Sequence, residues 1–196
     1  MTTLDLRPAT AAMAELLGGV PAEQLGGPTP CPAYTVGDLV DHIGGLTLAF
    51  TAAAAKAPGG AGRQGPSGDG SRLGDDWRTR IPRDLDALAT AWQDPAAWDG
   101  MTRAGGVDMP GEVAGLVTLD ELVVHGWDLA RAMGKPYGVD GATLHAVHGF
   151  VAQFSGAGQE EARQGLFGPE VAVAGDAPLL DRVAGLAGRA PAWTPR

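Results

Sequence analysis

The chain has 196 residues, the length of a single domain with enough material for a hydrophobic core. Apolar residues make up 44% and aromatic ones only 6%, which favours helices rich in Ala, Leu and Val over a β-sandwich. The net charge of −9 argues against a nucleic-acid or anionic-membrane partner, because both select clustered Lys and Arg. The single cysteine excludes an internal disulfide and a cysteine-based zinc site, and fits a reducing compartment.

The start of the chain and its apolar runs indicate where the protein resides. The first residues lack the basic start and apolar stretch of a signal peptide, and the longest apolar run, residues 46–55, is too short to span a bilayer. We therefore expect a cytoplasmic protein with no membrane partner. Because the chain is acidic, an anionic substrate would depend on local arginines such as Arg78, Arg80 and Arg83.

Apolar residues recur at helical spacing in five segments of the chain. The predicted helices cover residues 6–17, 36–56, 83–92, 112–133 and 141–154. Thr35 and Asp38 have the spacing of a capping box at the start of the second helix, and Gly134 followed by Pro136 ends the fourth. We expect an all-α fold, an antiparallel four-helix bundle.

Less regular segments separate and follow these helices. Residues 57–72 predict a mobile loop, because a stretch this rich in Gly and Pro buries too little apolar surface to offset its ordering entropy. Residues 98–110 predict an irregular or short extended connection. In the tail, residues 170–174 predict one short strand and residues 178–186 a short helix. The predicted domains are the helical bundle and a short C-terminal extension packed on it, residues 1–156 and 157–196.

Three residues on two helices are candidate metal ligands. Glu121 and His125 are four residues apart and project from one helix face, while His42 lies on the otherwise apolar second helix. If the two helices pack side by side, two imidazoles and one carboxylate form an open site that suits Zn²⁺, or Fe²⁺ or Ni²⁺. Asp128 or Asp38 would orient an imidazole. By spacing alone, a structural histidine and a surface Glu–His pair are the more common interpretation.

Longer local sequences carry a resemblance. They are TPCPAYTVGDLVDH at residues 29–42, LDELVVHGWDLARA at 119–132, FGPEVAV at 167–173 and DRVAGLAGRAPAW at 181–193. These segments resemble the DinB-like metal-binding superfamily, and within it the actinobacterial branch that contains the N-terminal domain of the mycothiol-dependent maleylpyruvate isomerase. The last two are similar to the end of an uncharacterised family of that branch.

The resemblance implies a DinB-like four-helix bundle in which His42, Glu121 and His125 hold a divalent metal. Zinc is the usual metal of such proteins, and nickel or iron occurs or is suspected in relatives. Characterised members use a low-molecular-weight thiol such as mycothiol, whose sulfur binds the metal as thiolate. Metal coordination lowers the pKa of a thiol and so generates a nucleophile at neutral pH.

The sequence also departs from the resembled proteins. Tyr34 stands where the family often has Trp. The maleylpyruvate isomerase has a longer C-terminal domain that contributes an arginine to its active site, whereas this tail is short and different. We therefore do not transfer that isomerase activity, and we interpret the tail arginines Arg182 and Arg189 as solvated surface residues.

The remaining candidates receive structural interpretations. Cys31 precedes the second helix, whose N-terminus would lower a thiol pKa, but packing is the interpretation we favour. His145 and His148 are spaced for a second metal pair, yet no third ligand accompanies them, so we expect surface or interface histidines, the latter in a homodimer.

Residues and resemblance together favour a metal-dependent enzyme, a thiol transferase or isomerase acting on a small electrophile, with residues 58–71 as a candidate lid. Two alternatives stay open. One is a thiol-independent, metal-dependent isomerase, cyclase or hydrolase of specialised metabolism. The other is a non-catalytic module that binds a metal or a small molecule.

Overall fold

The computed structural model describes residues 4–57 and 67–195. This part of the chain contains eight α-helices and one two-stranded antiparallel hairpin. The helices are α1 (Arg7–Gly18), α2 (Val36–Ala54), α3 (Trp77–Ala91), α4 (Pro95–Trp98), α5 (Gly111–Ala132), α6 (Gly141–Val151), α7 (Glu160–Arg163) and α8 (Leu179–Leu186). The strands are β1 (Met101–Ala104) and β2 (Val107–Pro110).

Four long helices, α1, α2, α3 and α5, form the bundle. Both α1 and α2 pack against α3 and α5, so α2 and α5 are direct neighbours. The end of α2 contacts the hairpin that leads into α5, where the Thr102 hydroxyl donates a hydrogen bond to the Ala53 carbonyl. Near the start of α2, the ring of His42 lies 5.0 Å, between centroids, from that of His125 in the second half of α5. The two helices therefore run antiparallel, and the expected all-α bundle is confirmed.

Apolar side chains from all four helices fill the bundle interior. Those with essentially no exposure include Met13, Leu17, Leu39, Val40, Ile81, Leu85, Leu88, Leu119 and Leu129. Removing each such side chain from water contributes roughly 1.5–3 kcal/mol. Within this apolar interior, α5 buries three titratable side chains, Asp120, His125 and Asp128. A buried polar group needs partners, so this stretch of α5 is where we expect a functional site.

The helix boundaries follow the hydrophobic pattern except in α3. The sequence predicts this helix from residue 83. The preceding residue is Pro82, and proline lacks the amide hydrogen that a helix interior uses. The helix instead begins at Trp77 and includes Pro82. Trp77 and Ile81 are buried in the core, and their burial offsets the hydrogen bond that the proline cannot donate.

One irregular or extended connection and one short strand were predicted, and only the connection forms β-structure. The connection before α5 is the hairpin, whose turn residues Gly105 and Gly106 have φ of 58° and 84°, as a two-residue type I′ turn requires. The strand expected at residues 170–174 is wrong. No neighbouring strand is available to it in the described structure, and the Val171 amide instead donates to the Gly185 carbonyl on α8 at 3.0 Å.

The loop expected at residues 57–72 falls mainly on residues 58–66, which lie outside the described residues together with most of the candidate lid. The described end of the segment contacts α2. The amides of Asp69 and Gly70 donate to carboxylates of that helix, Gly70 to Asp38 at 2.8 Å. This end of the segment is therefore anchored beside the start of α2.

The C-terminal extension lies on the bundle, with α8 packed against α6 and α5. The buried guanidinium of Arg163 donates to the carbonyls of Phe154, Gly168 and Leu186, and so ties the extension to the end of α6. The division of the chain at residue 156 into two domains stays a prediction. In the described ranges, no helix is both long enough and apolar enough to cross a membrane.

Candidate metal centre

The start of α2 determines where His42 lies. The Thr35 hydroxyl accepts a hydrogen bond from the Asp38 amide at 3.2 Å, and the Asp38 carboxylate accepts one from the Thr35 amide at 3.0 Å, which is the predicted capping box. The hydrogen bond from the Thr35 hydroxyl, followed by those from the Gly70 and Thr35 amides, holds the pKa of Asp38 below its usual range. Asp38 is thus committed to the cap and to Gly70.

The structure brings His42, Glu121 and His125 together between α2 and α5. Glu121 Oε2 lies 3.0 Å from His125 Nε2 and 3.9 Å from His42 Nε2. One donor atom from each of the three residues lies within 4.8 Å of the others. The side chain of His125 is 8% exposed, that of His42 12% and that of Glu121 30%, so the cluster is buried on one side and accessible on the other.

Asp128 contacts His125 from the side opposite to Glu121. Its Oδ2 atom lies 3.0 Å from His125 Nδ1, one turn further along α5. Asp128 is fully buried, and Arg189 from the C-terminal extension donates to both of its oxygens, from Nη2 at 3.0 Å and from Nε at 3.3 Å. Interpreting Arg189 as a solvated surface residue was therefore wrong, because its side chain is only 10% exposed and pairs with a buried carboxylate.

These contacts determine the protonation of the cluster. Burial favours the neutral ring of His125, but the hydrogen bonds to Asp128 and Glu121 outweigh it and raise the pKa of His125 to about 9. Burial also favours the protonated carboxyl of Glu121, and the hydrogen bond from His125 together with the nearby charges lowers the pKa of Glu121 instead. Without a metal, the His125 ring is thus a cation between two carboxylates.

The chemistry of these donors fits a divalent cation. Two imidazole nitrogens and one carboxylate oxygen are the ligand set of many open zinc sites, and nickel and ferrous iron accept the same donors. A hydrogen bond from Nδ1 to Asp128 leaves Nε2 of His125, the atom nearest Glu121, as the donor to a metal. A metal bound by His125 Nε2 would take the place of the proton on that nitrogen.

A cavity of about 580 Å³ adjoins the cluster, with His42 and Glu121 in its wall. The rest of the wall is mainly apolar and comes from α2, the hairpin, α5, the end of α6 and the extension. Its aromatic side chains are Phe50, Phe150, Phe154 and Phe167. A volume of this size is typical of a small-molecule site.

The cavity wall contains a further acidic side chain that the sequence analysis did not single out. Asp120 is 6% exposed, and its Oδ1 atom is buried without a hydrogen-bond partner among the described residues. Burial, followed by the charge of Glu121, raises the pKa of Asp120 to about 8. Asp120 immediately precedes Glu121, and this i, i+1 spacing gives no sequence signal because such neighbours do not share a helix face.

The other candidates lie away from the cluster or serve the fold. His145 Nδ1 lies 2.6 Å from the Gly141 carbonyl and is exposed, while His148 contacts Arg182 at 3.2 Å, so in the described structure the two histidines do not form a metal cluster. Burial raises the pKa of the Cys31 thiol, which agrees with a packing role for this residue.

The fold and the site together define a class: a helical bundle with a His–Glu–His cluster beside a small-molecule cavity. The sequence model of the mycothiol maleylpyruvate isomerase N-terminal domain matches residues 6–130, which include all three residues of the cluster. The chain belongs to this family. The matched segment ends before the extension, so Arg189 lies outside it.

Two sequence relatives and one solved structure also match the chain. Two uncharacterised proteins of Mycobacterium tuberculosis, from strains CDC 1551 and H37Rv, are 35% identical over 133 residues, which cover 66% of this chain and 65% of each relative. The match thus spans somewhat less than two thirds of these relatives. The crystal structure of the mycothiol-dependent maleylpyruvate isomerase superposes with a TM-score of 0.57 at 18% identity, over 76% of this chain and 70% of that one. This likeness shows a shared fold.

Proposed function

We propose that this protein is a divalent-metal-dependent enzyme that uses a low-molecular-weight thiol, mycothiol. The enzyme either transfers the thiol to a small electrophile or isomerises the electrophile. The observation that carries the proposal is the convergence of His42, Glu121 and His125 at the wall of a cavity of about 580 Å³. Zinc is the metal we propose, with nickel and iron as the alternatives that the same donors accept. The names of the family and of its solved relative support the choice of thiol.

In this proposal the three residues of the cluster hold the metal through two nitrogens and one oxygen. A divalent cation with three protein ligands keeps open coordination, and its charge lowers the pKa of a thiol or water there and polarises a carbonyl. Asp128 accepts the hydrogen bond from His125 Nδ1 and thereby sets the ring orientation and the donor atom. Arg189 in turn holds Asp128 in place.

The cavity supplies the other requirements of the reaction. Its mainly apolar wall would displace water around a bound electrophile, and loss of water strengthens electrostatic interactions there. A module that only holds a metal needs no such volume, so the cavity argues against that form of the non-catalytic alternative, whereas a small-molecule-binding module would need the same cavity.

The thiol step is tested with the cobalt-substituted protein, because a cobalt–sulfur bond absorbs in the near ultraviolet. Titration with mycothiol is expected to produce this absorption in the wild type and in His145→Ala, an exposed histidine away from the cluster, and not in His42→Ala or His125→Ala. Circular dichroism checks that each variant is folded. Cobalt binding without a response to mycothiol would refute the thiol proposal in favour of the thiol-independent alternative.

A further inference from the structure

The polar side chains in the described wall of the cavity all lie at the metal cluster. They are His42 and Glu121 of the cluster and Asp120, the chain neighbour of Glu121. The rest of the described lining is apolar or glycine. A ligand that reaches the cluster therefore has to place most of its surface against apolar side chains.

The two facing helices give the cavity its length. On α2 the lining continues from His42 to Phe50, and on α5 it continues from Glu121 back to Val113. At a rise of 1.5 Å per residue, each of these stretches is about 12 Å long. Because α2 and α5 run antiparallel, both stretches extend in the same direction from the cluster. The cavity is therefore elongated, with the cluster at one end.

Three exposed apolar side chains belong to the cavity wall. Val107 on β2, Val113 at the start of α5 and Leu166 in the extension are 59%, 38% and 58% exposed. Single exposed apolar side chains are ordinary, but three in the wall of one cavity form a patch of the kind that marks a ligand-binding groove. An apolar ligand that covers them gains free energy in proportion to the area removed from water.

Phe167 limits the cavity on the side of the extension. Its ring packs against Phe154 at 5.6 Å between centroids, and Phe154 packs against Phe150 at 5.3 Å. Phe167 also lines a second cavity, of about 630 Å³, whose wall includes Arg163 and Glu170. The ring thus contributes to the walls of both cavities, and truncating it enlarges the space open to a ligand of the first.

We propose that the substrate of this enzyme is an electrophile with an elongated apolar body, an aromatic ring or alkyl chain of up to about 12 Å, which lies along α2 and α5 with its reactive group at the cluster. Val107, Val113 and Leu166 recognise this body, and Phe167 limits its length. The inference rests on the proposed function, whose substrate class it specifies.

The 4-alkylphenols with tails from ethyl to octyl test the proposal. Their binding to the full chain is measured by calorimetry after chelator treatment, so that the result does not depend on metal or thiol. From ethyl to butyl we expect the affinity to rise about threefold for each methylene, and to level off once the molecule is longer than the cavity. Replacing the terminal methyl of 4-butylphenol by a hydroxyl, as in 4-(3-hydroxypropyl)phenol, is expected to weaken binding about tenfold.

Variants of the wall locate the binding site. Val113→Ser and Leu166→Ser are each expected to weaken 4-butylphenol binding about threefold. Leu48→Ser is the matched control, because Leu48 is 55% exposed on α2 and does not line the cavity, and it is expected to leave binding unchanged. Phe167→Ala is expected to move the point of levelling off to a longer tail. Circular dichroism checks that each variant is folded.

Three results would overturn the proposal: an affinity that does not rise with tail length, a hydroxyl analogue that binds as tightly as 4-butylphenol, and equal losses in Leu48→Ser and Val113→Ser. An unchanged point of levelling off in Phe167→Ala would refute the role of that ring. A failure here with an intact cobalt–mycothiol signal removes the substrate class and leaves the proposed function standing.

Discussion

Asp128 is buried without exposure and is shared by His125 and Arg189. Removing water from a carboxylate costs several kcal/mol, and the two cationic partners offset this cost. The His125 contact follows from the i, i+3 spacing, which the sequence shows. The Arg189 contact joins residues 61 positions apart, and no local pattern indicates it. The contact between His125 and Asp128 was therefore predictable from helical spacing, and the contact by which Arg189 holds Asp128 was not.

This pairing predicts a functional role for the extension. Arg189→Gln leaves Asp128 with less compensation, so we expect a loss of about 2–4 kcal/mol in the free energy of unfolding and at least a tenfold weaker zinc affinity. Urea denaturation and competition with a chelating dye measure the two quantities. Arg182→Gln, a half-buried tail arginine that contacts His148, is the matched control and is expected to change both much less. Equal effects of the two variants would show that Arg189 has no special role.

At the scale of elements, the start of α2 was predictable because a capping box is a local pattern of polar residues. The start of α3 was not, because burial of Trp77 and Ile81 outweighs the local effect of Pro82. The expected strand at residues 170–174 failed for a related reason. An extended pattern needs a partner strand, and only the tertiary structure shows that α8 lies there instead.

The capping box is expected to stabilise the helix that carries His42. Thr35→Ala removes the hydroxyl that accepts from the Asp38 amide, so we predict a loss of about 1 kcal/mol in the free energy of unfolding. Thr90→Ala, at an exposed threonine inside α3 whose hydroxyl donates to the Asp86 carbonyl, is the control, with an expected change within about 0.5 kcal/mol. Thermal and urea unfolding measure both, and similar losses would contradict the capping role.

The contribution of Asp38 depends on pH in a direction that the cap determines. Its folded-state pKa lies below the unfolded value, so its stabilisation is fully present above about pH 4 and is lost as the pH falls through the folded pKa. Asp38→Asn is therefore expected to destabilise the protein at pH 7, with a difference from wild type that shrinks at pH 3. A difference that stays constant between these pH values would show that ionisation of Asp38 does not stabilise the fold.

At the scale of the whole molecule, the bundle follows from the hydrophobic periodicity of four long helices, and the antiparallel contact between α2 and α5 brings His42 beside Glu121 and His125. The cavity could not be predicted, because its wall combines the hairpin and the extension with the bundle. Asp120 escaped notice for the same reason. The available signal was an acidic residue in a largely apolar helix, and only the structure shows that Asp120 lines a cavity.

The central claim is that His42, Glu121 and His125 form one metal site. Mass spectrometry of the metal content of untagged wild-type protein tests it most directly, beside His42→Ala, His125→Ala and the control His145→Ala. We predict one equivalent of a transition metal in the wild type and the control, and its loss in the two cluster variants while circular dichroism shows them folded. A wild type that takes up no zinc, nickel or ferrous iron on incubation, or cluster variants that keep a full equivalent, would contradict the account.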